Sequence, residues 1–175
     1  MKEQLHNQTD SQGRKQGYWE ETDEYGFIDK GPYVDGLRQG FWKGYNRDGR
    51  LHREGNYLNG ERQGLWKWYH EDGTIKEEGQ YLNGERQGLW KKYHEDGTPQ
   101  GESNYLNGKL HGLWKKYHLD GVTLWGEGHY LNWEQHGLWK WYHEDGTPKK
   151  CTLYNMGEEL FSSPLLILPS WLNLL

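Results

Sequence analysis

The sequence predicts an all-β chain, an elongated single-layer antiparallel β-hairpin repeat array of about six 24-residue repeats. Three observations predict it. A Gly–apolar–Trp triplet recurs at Gly17-Tyr18-Trp19, Gly40-Phe41-Trp42, Gly64-Leu65-Trp66, Gly88-Leu89-Trp90, Gly112-Leu113-Trp114 and Gly137-Leu138-Trp139, in steps of 23 to 25 residues. A finer step of 12 residues runs through Tyr33, Tyr45, Tyr57, Tyr69, Tyr81, Tyr93, Tyr105 and Tyr117, and resumes at Tyr130, Tyr142 and Tyr154 after one inserted residue. Two turn dipeptides alternate, Asp-Gly (Asp48-Gly49, Asp72-Gly73, Asp96-Gly97, Asp120-Gly121, Asp145-Gly146) and Asn-Gly (Asn59-Gly60, Asn83-Gly84, Asn107-Gly108). Fixed periods of this length mark stacked supersecondary units, and each half-repeat has room for one strand and one turn. Glycine at this density, without a 3.6 period, excludes helices.

Taken in order, residues 1–16 are polar and predict a flexible N-terminus. Residues 17–157 form the repeat domain, about 12 strands, with a degenerate first unit at Tyr25-Gly26-Phe27. Both turn dipeptides predict two-residue type I′ hairpins, because the left-handed backbone there favours Asn, Asp and Gly. A two-residue turn at Asp72-Gly73 puts Glu71 opposite Thr74 and Trp66 opposite Gly79, an aromatic laid over bare backbone. Residues 158–175 change character to an apolar tail interrupted by Pro164 and Pro169. It predicts a cap over the last open strand edge, with a membrane or partner anchor as the sharper reading.

Composition narrows the function. The net charge of −5 argues against a nucleic-acid footprint. Apolar residues make up only 33%, yet there are 11 Trp and 13 Tyr, so the apolar surface sits in a few large rings rather than in a disordered chain. One cysteine, Cys151, excludes an internal disulfide framework and fits a reducing compartment. With no apolar leader in residues 1–17 and no apolar run of spanning length, the expected location is cytoplasmic.

The segment Tyr-His-Glu-Asp-Gly, at 69–73, 93–97 and 142–146, resembles a catalytic box used three times. Strand geometry dismisses it. His70 and Glu71 point to opposite faces, and Asp72 already lies in the turn. Equivalent histidines, His70, His94, His118 and His143, stand two strands apart, about 9–10 Å, too far to share a metal whose ligands sit about 2 Å away. No nucleophile elbow, phosphate loop or dinucleotide loop occurs. His52, His111, His129 and His136 read as surface histidines. The expectation is a non-enzyme with no catalytic, cofactor or metal residues.

Columns that stay fixed between repeats point to stacking: Trp42, Trp66, Trp90, Trp114 and Trp139, and a ladder of Tyr57, Tyr69, Tyr81, Tyr93, Tyr105 and Tyr117. A column that varies beside fixed neighbours points to recognition. Trp68, Lys92, Lys116 and Trp141 occupy one such column, on the strand face of Trp66. Trp125 and Trp133 mark the least regular surface, where one residue is inserted and Trp133 replaces a turn glycine. These six residues are the candidate partner-binding site, since exposed aromatics rimmed by charge suit binding hot spots.

The run from Gly79-Gln80-Tyr81-Leu82-Asn83-Gly84 through Gly88-Leu89-Trp90 to Tyr93 resembles the MORN repeat, and more closely its variant in YwqK-family antitoxin proteins. The resemblance covers most of residues 17–157. It implies a hairpin array without enzymatic activity, acting as a bacterial antitoxin or immunity protein through a protein partner, a toxin. The wider family implies a scaffold tethering partners at a membrane as the alternative.

Overall fold

The computed structural model describes residues 6–164. Among them are fifteen strands, and every strand pairing is antiparallel. The chain divides into two compact units, Met1–Gln87 with Glu95–Gly97, and Gly88–His94 with Thr98–Leu175.

The first unit holds β1 (Gln8–Thr9), β2 (Lys15–Thr22), β3 (Ile28–Val34), β4 (Leu37–Arg38), β5 (Gly40–Tyr45), β6 (Leu51–Leu58), β7 (Glu61–Tyr69) and β8 (Ile75–Leu82). Their order is β1-β2-β3-β5-β6-β7-β8, with β4 on β3. Strand β9 (Glu85–Tyr93) begins there and runs into the second unit. The second unit continues with β10 (Pro99–Leu106), β11 (Lys109–Tyr117), β12 (Leu124–Leu131), β13 (Glu134–Tyr142), β14 (Pro148–Asn155) and β15 (Glu158–Ser163), in chain order.

Two expectations about the ends change. The N-terminal segment is not featureless from residue 6: β1 pairs with β2, and Asp10 folds the connection by accepting the amides of Gln12 and Arg14. At the other end, residues 158–163 extend the sheet as β15, covering Cys151 and Thr152, both 0% exposed. The rest of the expected cap, from residue 165, lies outside the described residues.

The turns are of two kinds. Asn59-Gly60 (φ 52° and 85°) and Asn83-Gly84 (50° and 78°) have both central residues in the left-handed region, as type I′ turns require. Asp72-Gly73 differs from expectation. Only Gly73 has positive φ, Gly73 N donates to His70 O at 3.1 Å, and His70 N donates to Thr74 O at 2.9 Å. This is a three-residue loop, a type I turn closed by a left-handed glycine. The Trp66–Gly79 pairing nevertheless holds, because a bulge at Lys76 restores the register lost to the longer loop. The first unit's degenerate turn follows the same design, with Asp23 accepting the amides of Tyr25 and Phe27.

The packing centre is the Gly-x-Trp triplet. Gly64 (φ 71°) opens a bulge: Asn56 pairs with Gln63, but Gly55 pairs with Trp66. Across the bulge, Trp66 Nε1 donates to Asn56 O at 2.9 Å. Trp42 Nε1 reaches Pro32 O at 3.0 Å and Trp139 Nε1 reaches His129 O at 3.1 Å in the same way. The Trp66 ring lies on Gly55 of the preceding strand rather than on Gly79. A Cβ on Gly55 would stand 2.3 Å from the ring, and Gly31 and Gly128 lie equally close under Trp42 and Trp139. Trp42, Trp66, Trp90 and Trp139 are 1–2% exposed and form the core with the tyrosines beside them.

Gly55→Ala is therefore expected to destabilise by about 3 kcal/mol, at the upper end of the usual overpacking cost, because the ring is held by its bond to Asn56 O with Arg62 above it and Trp68 beside it. Trp66→Ala is expected to lose about 3–5 kcal/mol. Urea unfolding followed by far-UV circular dichroism checks both, and a Gly55→Ala midpoint equal to wild type would refute the ring-on-glycine account.

A candidate partner-binding face

Pairing splits the tyrosines that the 12-residue step suggests form one ladder. Tyr33, Tyr57, Tyr81, Tyr105, Tyr130 and Tyr154 alternate with the tryptophans. The rings meet edge to face along Trp19–Tyr33–Trp42–Tyr57–Trp66–Tyr81, with centroids 5.0–6.1 Å apart. In the second unit Tyr105 meets Trp90, Tyr130 meets Trp114 and Trp139, and Tyr154 meets Trp139. Tyr69 and Tyr142 instead occupy the opposite face. Tyr69 donates to Glu54 at 2.6 Å and Tyr142 to Glu127 at 2.9 Å. Lys67, whose Nζ is 3.9 Å from Glu78, shares that face.

Burial, and then the Glu127 carboxylate that its hydroxyl serves, push the Tyr142 phenol up to about 12. Tyr69 is raised by burial and Glu54 in the same manner. The neutral phenol is the favoured folded form. Its contribution is therefore complete below the ordinary phenol value near 10 and disappears as pH rises through about 12. Tyr142→Phe should cost about 1–2 kcal/mol at pH 7, as for a lost bond to a charged acceptor. It should also flatten the fall in urea midpoint between about pH 10 and 12. An unchanged alkaline slope would show that this hydrogen bond does not set it.

The YHEDG segments do turn chemistry. The Thr74 hydroxyl (2.6 Å) and amide (2.9 Å) both donate to Asp72 Oδ1 and hold its carboxyl below the usual range; Thr147 does the same to Asp145. A carboxylate held ionised by its own turn is poorly suited to proton transfer. His118 Nε2 sits 3.2 Å from Tyr142 O, bracing the next repeat. Open clefts between turns are lined by Arg50, Tyr69, Glu71 and Asp72 in one unit and by His118, Trp125, His143 and Asp145 in the other. No group of three or more His, Cys, Asp or Glu side chains among the described residues could hold a metal ion. Cys151 is fully buried. His111 and His136 are not the surface histidines expected. They replace Gln39 and Gln63, which accept the amides of Asn59 and Asn83, and their buried Nδ1 atoms have no hydrogen-bond partner.

The candidate recognition column lies on the Trp face. Trp68 is half-buried, tilted on Trp66 at 5.8 Å and on Tyr81 at 6.1 Å. Trp141 sits on Trp139 at 5.8 Å with Lys150 Nζ 4.7 Å from its centroid. Both rings pack and still present an edge to solvent. Lys92 and Lys116 are exposed at the matching positions. Trp125, 39% exposed, is the bulged residue of β12; it meets Trp114 edge-on, with Lys116 Nζ 4.8 Å from its centroid. Trp133, 54% exposed, lies at the type I′ turn between β12 and β13 and touches Tyr105.

Trp114 stacks on Trp139 at 5.3 Å but differs from its siblings in burial. Ser103 stands where the other repeats put glycine, so the ring cannot settle on backbone and stays half-buried. Reasoning from sequence also missed the cations over the rings. Arg38 lies 4.2 Å from the Trp42 centroid and Arg62 4.8 Å from that of Trp66. The Arg-Gln-Gly spacing at 38–40, 62–64 and 86–88 was the available signal.

Residues 62–83, 86–107 and 135–156 each match the MORN repeat variant. These three segments are similar to MORN repeats. No curated protein matches it. Each matched segment runs from the strand bearing the Gly-x-Trp triplet through its turn to the next turn. MORN repeats are a non-enzymatic family that typically mediates protein or membrane interactions.

Trp133 keeps φ at 77° without being glycine, a cost of about 1–2 kcal/mol for a residue with a Cβ. Against its single edge contact with Tyr105, Trp133→Gly is expected to stabilise by about 1 kcal/mol, raising the melting temperature. A lower melting temperature would show that the ring's packing outweighs the strain.

Proposed function

We propose that this chain is a non-enzymatic protein-binding repeat protein. In the finer reading it is a cytoplasmic bacterial antitoxin or immunity protein that neutralises a toxin by covering its working surface, with no chemistry of its own. The observation that carries the protein-binding reading is that Trp68 and Trp141 are each stacked on a buried Trp and only half-buried themselves. Rigid aromatics with one wet edge bind at low entropic cost. Trp125 and Trp133 add exposed ring area within the second unit. The antitoxin reading rests on the resemblance of the repeats to the YwqK family.

Tagged chain recovered from its native host at moderate salt is expected to bring down one protein at near-equal stoichiometry. Trp68→Lys with Trp141→Lys should weaken that capture by about 2 kcal/mol or more, roughly thirtyfold. A partner that halts growth when expressed alone supports the antitoxin reading. Recovery of anionic lipid without protein would transfer the proposal to membrane tethering, and unchanged capture by a folded double variant would remove the tryptophan column from the site.

A further inference from the structure

The row of the Trp face that carries the recognition column reverses its charge between the two units. Register fixes who shares the row, because directly paired residues point to the same side. In the first unit the row is Glu21, Asp29, Gly44, Arg53, Trp68 and Glu77. These acids are answered within the unit: Arg38 bonds Glu21 and Asp29, Arg53 bonds Asp29, and Arg86 bonds Glu77 at 2.8 Å. In the second unit the same row is Lys92, Gly101, Lys116, Gly126, Trp141 and Lys150. It holds three lysines and no carboxylate. Leu110 and Gln135 stand where the first unit has ring-covering arginines, so position 110 supplies no guanidinium to Trp114.

The result is a slot. Gly101 and Ser103 form its floor, Trp114 a wall, and Lys92 and Lys116 its rim, with a volume of about 260 Å³. That space suits one side chain of a partner rather than a free ligand, which needs about 300–1,000 Å³. Lys116 and Lys150 each stand over a neighbouring ring, Trp125 and Trp141, so these two positive charges are held against aromatic faces.

We infer that this row docks an acidic, aromatic-bearing peptide segment of a partner protein, its carboxylates meeting Lys92, Lys116 and Lys150 and one ring entering the slot beside Trp114. This rests on the protein-binding reading. Charge complementarity selects the occupant. Lys92 and Lys116, two strands apart, stand about 9–10 Å from each other, and Lys116 and Lys150, three strands apart, about 14 Å; an extended segment spans these in about three and four residues, so acids spaced three or four apart fit. A nucleic acid or an anionic membrane fits poorly. The lysines make a strip one residue wide, and the turns of the same unit carry Asp120, Glu144 and Asp145, which repel an extended polyanion.

The test uses a fluorescein-labelled peptide with Glu at every third position and Trp between, with its Gln counterpart, and anisotropy at low and moderate salt. Wild type should bind the Glu peptide at least tenfold tighter than the Gln peptide. Lys92→Gln with Lys116→Gln and Lys150→Gln should abolish that preference. Lys91→Gln with Lys140→Gln removes charge from the opposite face of the same unit without touching the slot lining, and should change binding less than twofold. An equal loss per charge in the two variants would overturn the proposal, reducing the effect to net charge, as would no preference for the Glu peptide. Tighter binding of anionic vesicles or single-stranded DNA than of the peptide would overturn it also. A natural partner captured equally by wild type and the triple variant would refute this row while leaving the protein-binding reading intact.

Discussion

The indole laid on glycine is the contact on which the rest of the structure depends. One left-handed glycine bulges the strand, and the next-but-one residue, Trp, gives its N–H to a carbonyl of the preceding strand while its ring covers a glycine there. Three requirements meet in one triplet: a residue with φ near 70°, a large ring with a donor, and a Cβ-free site across the pair. A sheet with solvent on both sides has no second layer against which to bury apolar surface. Here the chain places four nearly inaccessible tryptophans within the pleat itself, so a small apolar fraction suffices.

The two faces divide the remaining work. The Trp face holds the rings in edge-to-face alternation with one set of tyrosines. The other holds Tyr–Glu hydrogen bonds and Lys–Glu pairs, which contribute mainly where they are partly buried, as at Tyr142. The turns stitch successive hairpins. Gly60 N donates to Arg38 O and Gly84 N to Arg62 O, so each Asn-Gly turn fastens to the hairpin before it. A hairpin that is marginal alone is thereby held on both sides, which is the logic of a nearest-neighbour repeat.

Much of this was legible in the sequence, for identifiable reasons. Asn59-Gly60 named its own turn because the left-handed backbone at two successive positions admits few residues. Trp66 opposite Gly79 was correct although the turn that predicted it was not: the three-residue loop at Glu71-Asp72-Gly73 and the bulge at Lys76 each shift the register by one, and they cancel. Asp-Gly fits either turn, since both demand a left-handed glycine. The tyrosine ladder misled because a step of 12 counts residues and not faces, and only the pairing register separates Tyr57 from Tyr69. Trp114 looked like its siblings because the fault lies elsewhere, in Ser103. For the candidate site, the column of Trp68, Lys92, Lys116 and Trp141 could be found from its variation, but not its charge row, which is assembled from residues far apart in the chain.

Repetition itself makes departures informative. A repeat that obeys every rule is occupied with holding its neighbours: Trp66 has Gly55 beneath it, Arg62 above it and Trp68 beside it, and few ring atoms are left for anything else. Around Trp114 all three positions change together, to Ser103, Leu110 and Lys116. Each change alone would lower packing, and none improves it. The same segment carries the inserted residue before Trp125 and the strained Trp133. Backbone strain and incomplete packing in one place, beside four self-satisfied tryptophans elsewhere, are what stability alone does not produce. The irregular repeat thus keeps aromatic surface accessible on a scaffold whose rigidity is supplied by the regular ones.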